Sequence, residues 1–467
     1  VSVHPIAPER ERRELQDRFT TERLTDAGLA ERFAETYRGR LLYNHRRKDW
    51  YAFNPPVFRP DPDGQVYRCA IEFVRQFQAD ALTLTDRKLK EQALAFALRC
   101  ESKPSLDRLV GLASKLLPLA DAGDGWDADP WLLAAPNGVI DLRSGELRAG
   151  TPDDRLTMML GVPFDQAAYA PRFLRFLEEI FSGDTAVIGF IQRYVGYALS
   201  GLTSEQVCAI AYGTGSNGKT TLINVLAYIF GDYWRNVPFS TLERQGRAAI
   251  PNDVAVLDGK RFVTASETND GVRLNEARLK ALTGGDPISA RFLYGETFTF
   301  TPQAKFLLAV NHKPLVHDDS FGFWRRILLI PFLRCFTGSA KDDTLADQLK
   351  AEGSGILAWA VAGCLAWQRD GLQPPAAVLA ATDEYRGDSD PLGDFLAECC
   401  DLEPGASVAA STVQQAYLKW AEKQGFSKHD RLSPQSLSQR LADRFPRRKT
   451  RVGWSYDGFK VATERLF

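Results

Sequence analysis

Val207–Thr221 reads VCAIAYGTGSNGKTT, and this stretch decides the fold. An apolar run rich in Val, Ile and Ala stops at a glycine. Gly213-Thr214-Gly215-Ser216-Asn217-Gly218-Lys219-Thr220 then matches G-x-x-x-x-G-K-[ST], and Thr221 opens TLINVLAYIF, an amphipathic helix. Strand, glycine-rich turn and helix in that order turn successive backbone N–H groups onto an anion and aim the positive end of the helix at it. In such a loop Lys219 reaches the β- and γ-phosphates of ATP, and Thr220 holds Mg2+.

Downstream come three more β-rich runs, each ended by polar residues: RFVTASE (261–267), KFLLAVN (305–311) and RRILLIPF (325–332). Helical segments separate the earlier ones, and that alternation predicts a parallel sheet with crossover helices. ISARFLY and TFTF, flanking Gly295-Glu296, interrupt it as a hairpin. A triphosphatase needs a carboxylate at the end of a neighbouring strand. Glu267 ends RFVTASE and can orient and deprotonate the attacking water, besides serving the metal. Ser266 stands where an Asp usually precedes such a Glu, and Asp258, at the end of VAVLD, reads as a capping or turn residue. Asn311 ends KFLLAVN, where an amide can hold the lytic water or the γ-phosphate. Arg325 and Arg326 open the last run; one of them can stabilise charge on the transferring phosphate, from this subunit or a neighbour. Adjacent strand residues point to opposite faces, so one finger is expected, and the sequence leaves open which.

The whole chain has 467 residues, enough for two to four domains at roughly 100–200 residues each. Lys+Arg 58 against Asp+Glu 59 gives a net charge of −1, so nucleic-acid binding requires local asymmetry. That asymmetry exists at the end. Residues 426–467 hold ten basic and four acidic side chains, whereas 373–425 hold three basic and nine acidic ones. The longest uncharged apolar stretch, Gly353–Gln368, is too short to span a bilayer and reads as a buried helix. No secretory signal opens the chain, and its seven scattered cysteines form no C-x-x-C pair, so a cytoplasmic protein with reduced thiols is expected. Thr21–Tyr37 and Asp86–Cys100 carry helical periodicity, the segment between them reads as short strands, and Pro136–Leu147 as a hairpin. His45-Arg46-Arg47-Lys48 reads either as a solvated turn or as a nucleic-acid contact.

GTGSNGKTT, GKRFVTASET, LKALTGGDPISARFLYGE, FLLAVNHKP and FWRRILLIPF, in this order, resemble the superfamily 3 helicases within the AAA+ ATPases. The nearer resemblance is to the phage and plasmid primase-helicases related to the poxvirus primase-helicase, and it extends upstream through NGVIDLRSGEL and VGYALSGLTSEQ. It implies a ring, a homo-hexamer, with ATP between subunits. Lys219, Thr220, Glu267 and Asn311 would act from one side and Arg325 or Arg326 from the other. It also implies that Lys280 lies near the nucleotide and that Lys280, Arg291, Tyr294 and Lys305 serve a hairpin gripping single-stranded DNA, with 3′ to 5′ movement. Members often carry a primase domain. Here Asp61-x-Asp63 falls in a PDPDG turn with no apolar run before it, so priming is not expected and a separate primase or polymerase is the expected partner.

The tail resembles a winged-helix DNA-binding module. Ser411–Gln424 fits one helix, and 433–445 a second with Ser433 as N-cap, Pro434 at N1, and Leu437 and Leu441 inward; RRKTRVGWSYDGF would be the wing. Gln439, Arg440, Arg444, Arg447, Arg448 and Lys449 are then the DNA contacts. The expectation is an α/β protein with a mixed N-terminal region (1–172), an AAA+ core (173–345) and a helical linker with a winged helix (346–467). It would act as an ATP-driven helicase of a mobile element on single-stranded and forked DNA, with no membrane partner. The rival readings are an ATP-switched DNA-binding initiator that does not unwind and an AAA+ protein remodeller.

Overall fold

The computed structural model describes residues 19, 23–244, 252–266, 272–291, 297–316, 318, 320–337, 342–424, 426, 431–451, 453–462 and 464. In the N-terminal part, α1 (Asp26–Thr36) precedes a meander of β1 (Leu41–Asn44), β2 (Asp49–Asn54) and β3 (Val57–Pro60). Helices α2 (Gln65–Leu82), α3 (Arg87–Cys100) and α4 (Lys103–Ala113) follow, and β4 (Ala120–Asp121) pairs parallel to β1. Phe33, Phe73, Phe77 and Phe96 lie on the inward stripes of these helices and fill one core. The turn 45–48 closes the β1–β2 hairpin, where Arg46 pairs with Asp124 and Arg47 donates to Tyr51 Oη, so both cations are engaged within the fold. The hairpin expected at 136–147 is present as β6 (Gly138–Asp141) and β7 (Glu146–Arg148), with β5 (Leu132–Ala135) added ahead of it.

Two helices, α5 (Pro171–Ile180) and α6 (Thr185–Leu199), lead into the central sheet. Its elements in chain order are β8 (Cys208–Tyr212), α7 (Lys219–Phe230), β9 (Trp234–Asn236), α8 (Asn252–Ala255), β10 (Phe262–Ser266), α9 (Glu276–Gly284), the antiparallel hairpin β11 (Ile288–Arg291) and β12 (Thr297–Phe300), β13 (Lys305–Val310), α10 (Phe321–Trp324) and β14 (Ile327–Pro331). The strand order is β14-β8-β13-β10-β9 and every pair is parallel. Burial on both faces follows from the alternation of side chains. Cys208, Ile210, Phe306, Leu308, Ile327 and Leu329 enter one apolar cluster. Ala209, Ala211, Leu307, Ala309, Leu328 and Ile330 enter another. Strand β9 was not expected. Arg325 and Arg326 close α10 rather than opening β14, so the opposite-face argument for a single finger does not apply to them.

After the sheet come α11 (Leu345–Ala351), α12 (Gly353–Asp370) and α13 (Ala376–Asp388). The apolar stretch from Gly353 is indeed a buried helix, and it crosses α6 backbone to backbone: a Cβ on Gly196 would lie 2.1 Å from Cys364 N, and one on Gly363 2.2 Å from Gln192 O. Among the described residues no helix is long and apolar enough to cross a membrane. The tail packs α14 (Pro391–Cys399), β15 (Cys400–Ala409), α15 (Ala410–Lys423), α16 (Pro434–Arg444), β16 (Arg447–Thr450) and β17 (Gly453–Val461) around Phe395, Tyr417, Trp420, Leu437, Leu441 and Phe459. Its sheet is antiparallel in the order β15-β17-β16.

Two buried cations close the lower end of the central sheet. Arg261, just before β10, donates to Leu199 O at 2.8 Å, Leu132 O at 2.9 Å and Asp129 O at 3.3 Å, and lies over the Tyr233 ring. Lys305, the first residue of β13, donates to Ser200 O, to Gln303 O at 2.7 Å and to Leu202 O at 3.2 Å. Both are 1% exposed. They satisfy carbonyls that the C-terminus of α6 leaves without intrahelical partners, and each places positive charge at the negative end of the helix. The expectation that Lys305 grips DNA is therefore corrected: its ammonium is enclosed by its own chain, and burial pushes it well below its ordinary pKa. Lys305→Met should lower the free energy of unfolding by about 3 kcal/mol in urea titration, because carbonyls are left unpaired. Affinity for single-stranded DNA, measured beside the parent, should be unchanged in the folded variant.

Candidate nucleotide site and nucleic-acid surfaces

The phosphate loop runs from the end of β8 to the first turn of α7. Gly213 must be glycine, because a Cβ there would lie 2.3 Å from Asn217 Nδ2 and 2.4 Å from Phe332 O. Gly218, the N-cap of α7, has φ +85°, in the left-handed region that glycine adopts freely. Thr214, Ser216 and Thr220 are exposed, Gly215 and Thr221 half-buried, and Asn217 buried with its amide donating to Phe332 O at 3.3 Å. Lys219 points back into the loop and donates to Gly213 O, to Asn217 Oδ1 at 3.1 Å and to Asn311 Oδ1 at 3.3 Å. Three oxygens thus surround an ammonium whose burial lowers its pKa below the usual lysine value, with Cys335 pulling the other way.

Lys219 and Asn311, 92 positions apart, meet because β8 and β13 are parallel neighbours that end together: Val310 is in register with Tyr212. Glu267 and Tyr294 lie outside the described residues. Ser266 ends β10 beside β13, at the same end of the sheet as Asn311. One element escaped the sequence reading: the segment after β14 clasps the loop. Phe336 N donates to Ser216 O at 2.7 Å, and Cys335 Sγ to Gly215 O at 3.5 Å. A cysteine and a phenylalanine at unremarkable spacing gave no signal of it. The exposed Thr220 hydroxyl in the first turn of α7 suits the oxygen ligation that Mg2+ prefers. Among the described residues no group of three or more His, Cys, Asp and Glu forms a metal cage, and a magnesium ion held chiefly through phosphates needs none.

Arg325 and Arg326 stand elsewhere. Both donate to Gln206 Oε1, and Arg326 O accepts from Cys208 N at the start of β8. They therefore lie one strand length, roughly 17 Å, from the phosphate loop of their own chain. Lys280 pairs with Asp318 at 2.5 Å and donates to Ser320 Oγ at 3.1 Å. It faces a cleft of about 1630 Å³ whose far wall is α16, including Gln439, Arg440 and Arg444. Arg291 ends β11 half-buried. In the tail, Arg440 is 6% exposed and so is corrected as a DNA contact: it sits three positions after Leu437, on the inward stripe of α16. Arg444 pairs with Asp390 at 2.8 Å. Arg447, Arg448 and Lys449 stand exposed on β16, and Arg448 pairs with Asp457.

Three family models match the chain: residues 30–182 as "D5 N terminal like", 211–326 as a family of unknown function, and 387–463 as "Poxvirus D5 protein-like". The chain is 28% identical over 309 residues to the "Putative helicase" of Acanthamoeba polyphaga mimivirus, covering 60% of this chain and 32% of the relative. It is 24% identical over 430 residues to that of Frog virus 3, covering 73% and 44%. A "Putative primase" of African swine fever virus is 27% identical over 211 residues, covering 43% and 22%. The chain is related to the primase-helicase family. It spans less than half the length of these relatives. Among solved structures, the C-terminal region of NrS-1 superposes with TM-scores of 0.47 and 0.49 at 11% identity, covering 86% and 94% of this chain and 84% and 99% of the other.

Were a nucleotide to bind in this loop, its phosphate would raise the lowered Lys219 pKa, and the complex would hold the proton to higher pH than the free protein does. Affinity for ATP should then fall as pH rises from neutral towards about 10, the ordinary lysine range. Lys219→Arg should flatten that decline while weakening binding at neutral pH. Titration with a fluorescent ATP analogue reads both effects.

Proposed function

We propose that this primase-helicase relative is an ATP-dependent replicative DNA helicase of a phage, plasmid or other mobile element, built on an AAA+ core of the superfamily 3 type (173–345). The observation that carries the reading is the convergence of Lys219 and Asn311 at the shared end of two parallel strands, above a glycine-rich turn and a helix N-terminus. That arrangement suits phosphoryl transfer to water. The loop amides and Lys219 hold the β- and γ-phosphates, and Asn311 orients the water or the γ-phosphate. Glu267 takes the proton of the attacking water. Thr220 and Glu267 would hold Mg2+, which when bound would supply neutralisation of phosphate charge.

The arginine pair supports a ring. Arg325 and Arg326 are a strand length from the phosphate loop of their own subunit, so either one serves as a finger only for a neighbouring subunit. A homo-hexamer with ATP at each junction meets that need, and an arginine so placed is worth ~10³–10⁵ in rate. Lys280, Arg291 and Tyr294 are the proposed contacts to single-stranded DNA in the core. The tail (346–467) is the proposed winged-helix module, with Gln439 on α16 and Arg447, Arg448 and Lys449 on the wing meeting DNA. Translocation 3′ to 5′ and a separate primase or polymerase partner complete the reading.

A forked duplex with a single-stranded tail of either polarity tests it. Wild-type protein with ATP and Mg2+ should unwind the fork bearing a 3′ tail. Glu267→Gln should bind ATP and lose hydrolysis by at least about a hundredfold, the scale of a general-base contribution, along with unwinding. ATP hydrolysis with no unwinding of either fork would overturn the helicase reading in favour of an ATP-switched initiator.

A further inference from the structure

Beside the cleft, and sharing Pro434, Gln439 and Asp443 with it, α16 forms a second hollow with the wing. It measures about 570 Å³ and is lined by Gln435, Ser438, Gln439, Ala442 and Asp443 of the helix and Arg447 of β16. Its shape is fixed from below. Tyr456, fully buried on β17, donates to Ser438 O at 3.0 Å and lies 2.8 Å from Ser438 Oγ, which pins the wing to the helix. Arg447 is opposite Tyr456 in the β16–β17 register, and Trp454 stands two residues nearer the hairpin tip on the same face as Tyr456. The Arg447 guanidinium carbon lies 3.9 Å from the Trp454 ring centroid, and the indole is 44% exposed.

An exposed tryptophan on a hairpin with three consecutive exposed cations is not a core residue. Its effect is to hold the guanidinium over the indole ring, with the arginine lining the groove. A guanidinium held in this way offers a stacking surface to a nucleobase. The opposite wall offers two primary amides, on Gln435 and Gln439, groups that pair with the edges of bases. Asp443 repels a phosphate and accepts from an exocyclic amine, so the groove suits a base rather than a backbone. A base inside a duplex has both faces covered and a terminal pair has its pairing edges occupied; an unpaired base at a strand end or fork has face and edges free together.

We propose that the groove between α16 and the wing seats one unpaired base at a junction of single- and double-stranded DNA, stacked on Arg447 with Trp454 behind it. This rests on the reading of the tail as a DNA-binding module and adds to it a preference for junctions over intact duplex.

The test uses the full chain without nucleotide. One probe is a duplex carrying a single unpaired 2-aminopurine at its 3′ junction, and the other is the same duplex with blunt ends. Wild-type protein should bind the junction about tenfold more tightly, the scale of one stacked base, and quench the 2-aminopurine. Arg447→Lys keeps the charge and removes the plane. It should bring the two affinities together and restore the fluorescence, as should Trp454→Ala, while Trp454→Phe keeps much of the preference. Arg448→Ala should weaken both probes equally. Unfolding temperatures close to wild type establish that these surface variants are folded. Equal wild-type binding of the two probes, an unquenched base, or a preference surviving in Arg447→Lys would overturn the base site and leave the DNA-binding reading standing. Failure to bind either probe at low salt would overturn that reading as well.

Discussion

Helix α6 ends inside the protein, and that is the constraint on which the rest of the architecture turns. Its last carbonyls, on Leu199 and Ser200, are out of reach of water, and backbone acceptors so placed must be paired. Arg261 and Lys305 supply the donors from the starts of β10 and β13. The same two side chains therefore fix how the helix lies on the sheet and where those strands begin. Arg261 reaches further, to Leu132 and Asp129, and so ties the β5–β7 sheet to the same point. Fixing the starts of the strands fixes their ends. Because β13 and β8 stay in register from Phe306↔Cys208 to Val310↔Tyr212, Asn311 arrives against Lys219.

The two ends of the sheet thus have different duties. The phosphate loop, Lys219, Asn311 and the clasp of Cys335 and Phe336 gather at the C-terminal ends of the strands. The buried cations and the Gln206–arginine cluster occupy the other end. This polarity follows from all-parallel pairing, which puts every strand's exit on one side, and it is why Arg325, exposed, and Arg326, half-buried, stand a strand length from the phosphate loop of the chain that carries them. The tail has its own core and its own antiparallel sheet. Its helix α16 presents one surface that runs from the central cleft to the wing, with Gln439 and Asp443 shared between them.

Much of this was legible in residues. VCAIAY, RFVTAS, KFLLAV and ILLIP became strands because each is a short β-branched and apolar run ended by glycine or polar groups. Ser433 and Pro434 opened a helix because a hydroxyl N-cap followed by proline leaves no donor wasted. Other elements carried no such mark. Trp234–Asn236 is a three-residue edge strand, too short for any period to show. Cys400–Ala409 includes Pro404 and Gly405, which obscure a strand pattern; the pairing with β17 absorbs them through a shift in register between Leu402 and Ser407.

Charge was the least transferable signal. Lys305 and Arg440 looked like surface cations in a list of residues and are buried. By itself the sequence determined the phosphate loop, the parallel sheet and the order of its motifs, because hydrophobic period and glycine geometry are local properties of the chain. Only the tertiary structure decided which cations face solvent, that Lys219 meets Asn311, and that the arginine pair sits at the far end of the sheet. Those outcomes depend on strand order and on which buried carbonyls need a donor, and neither is set by neighbours in sequence.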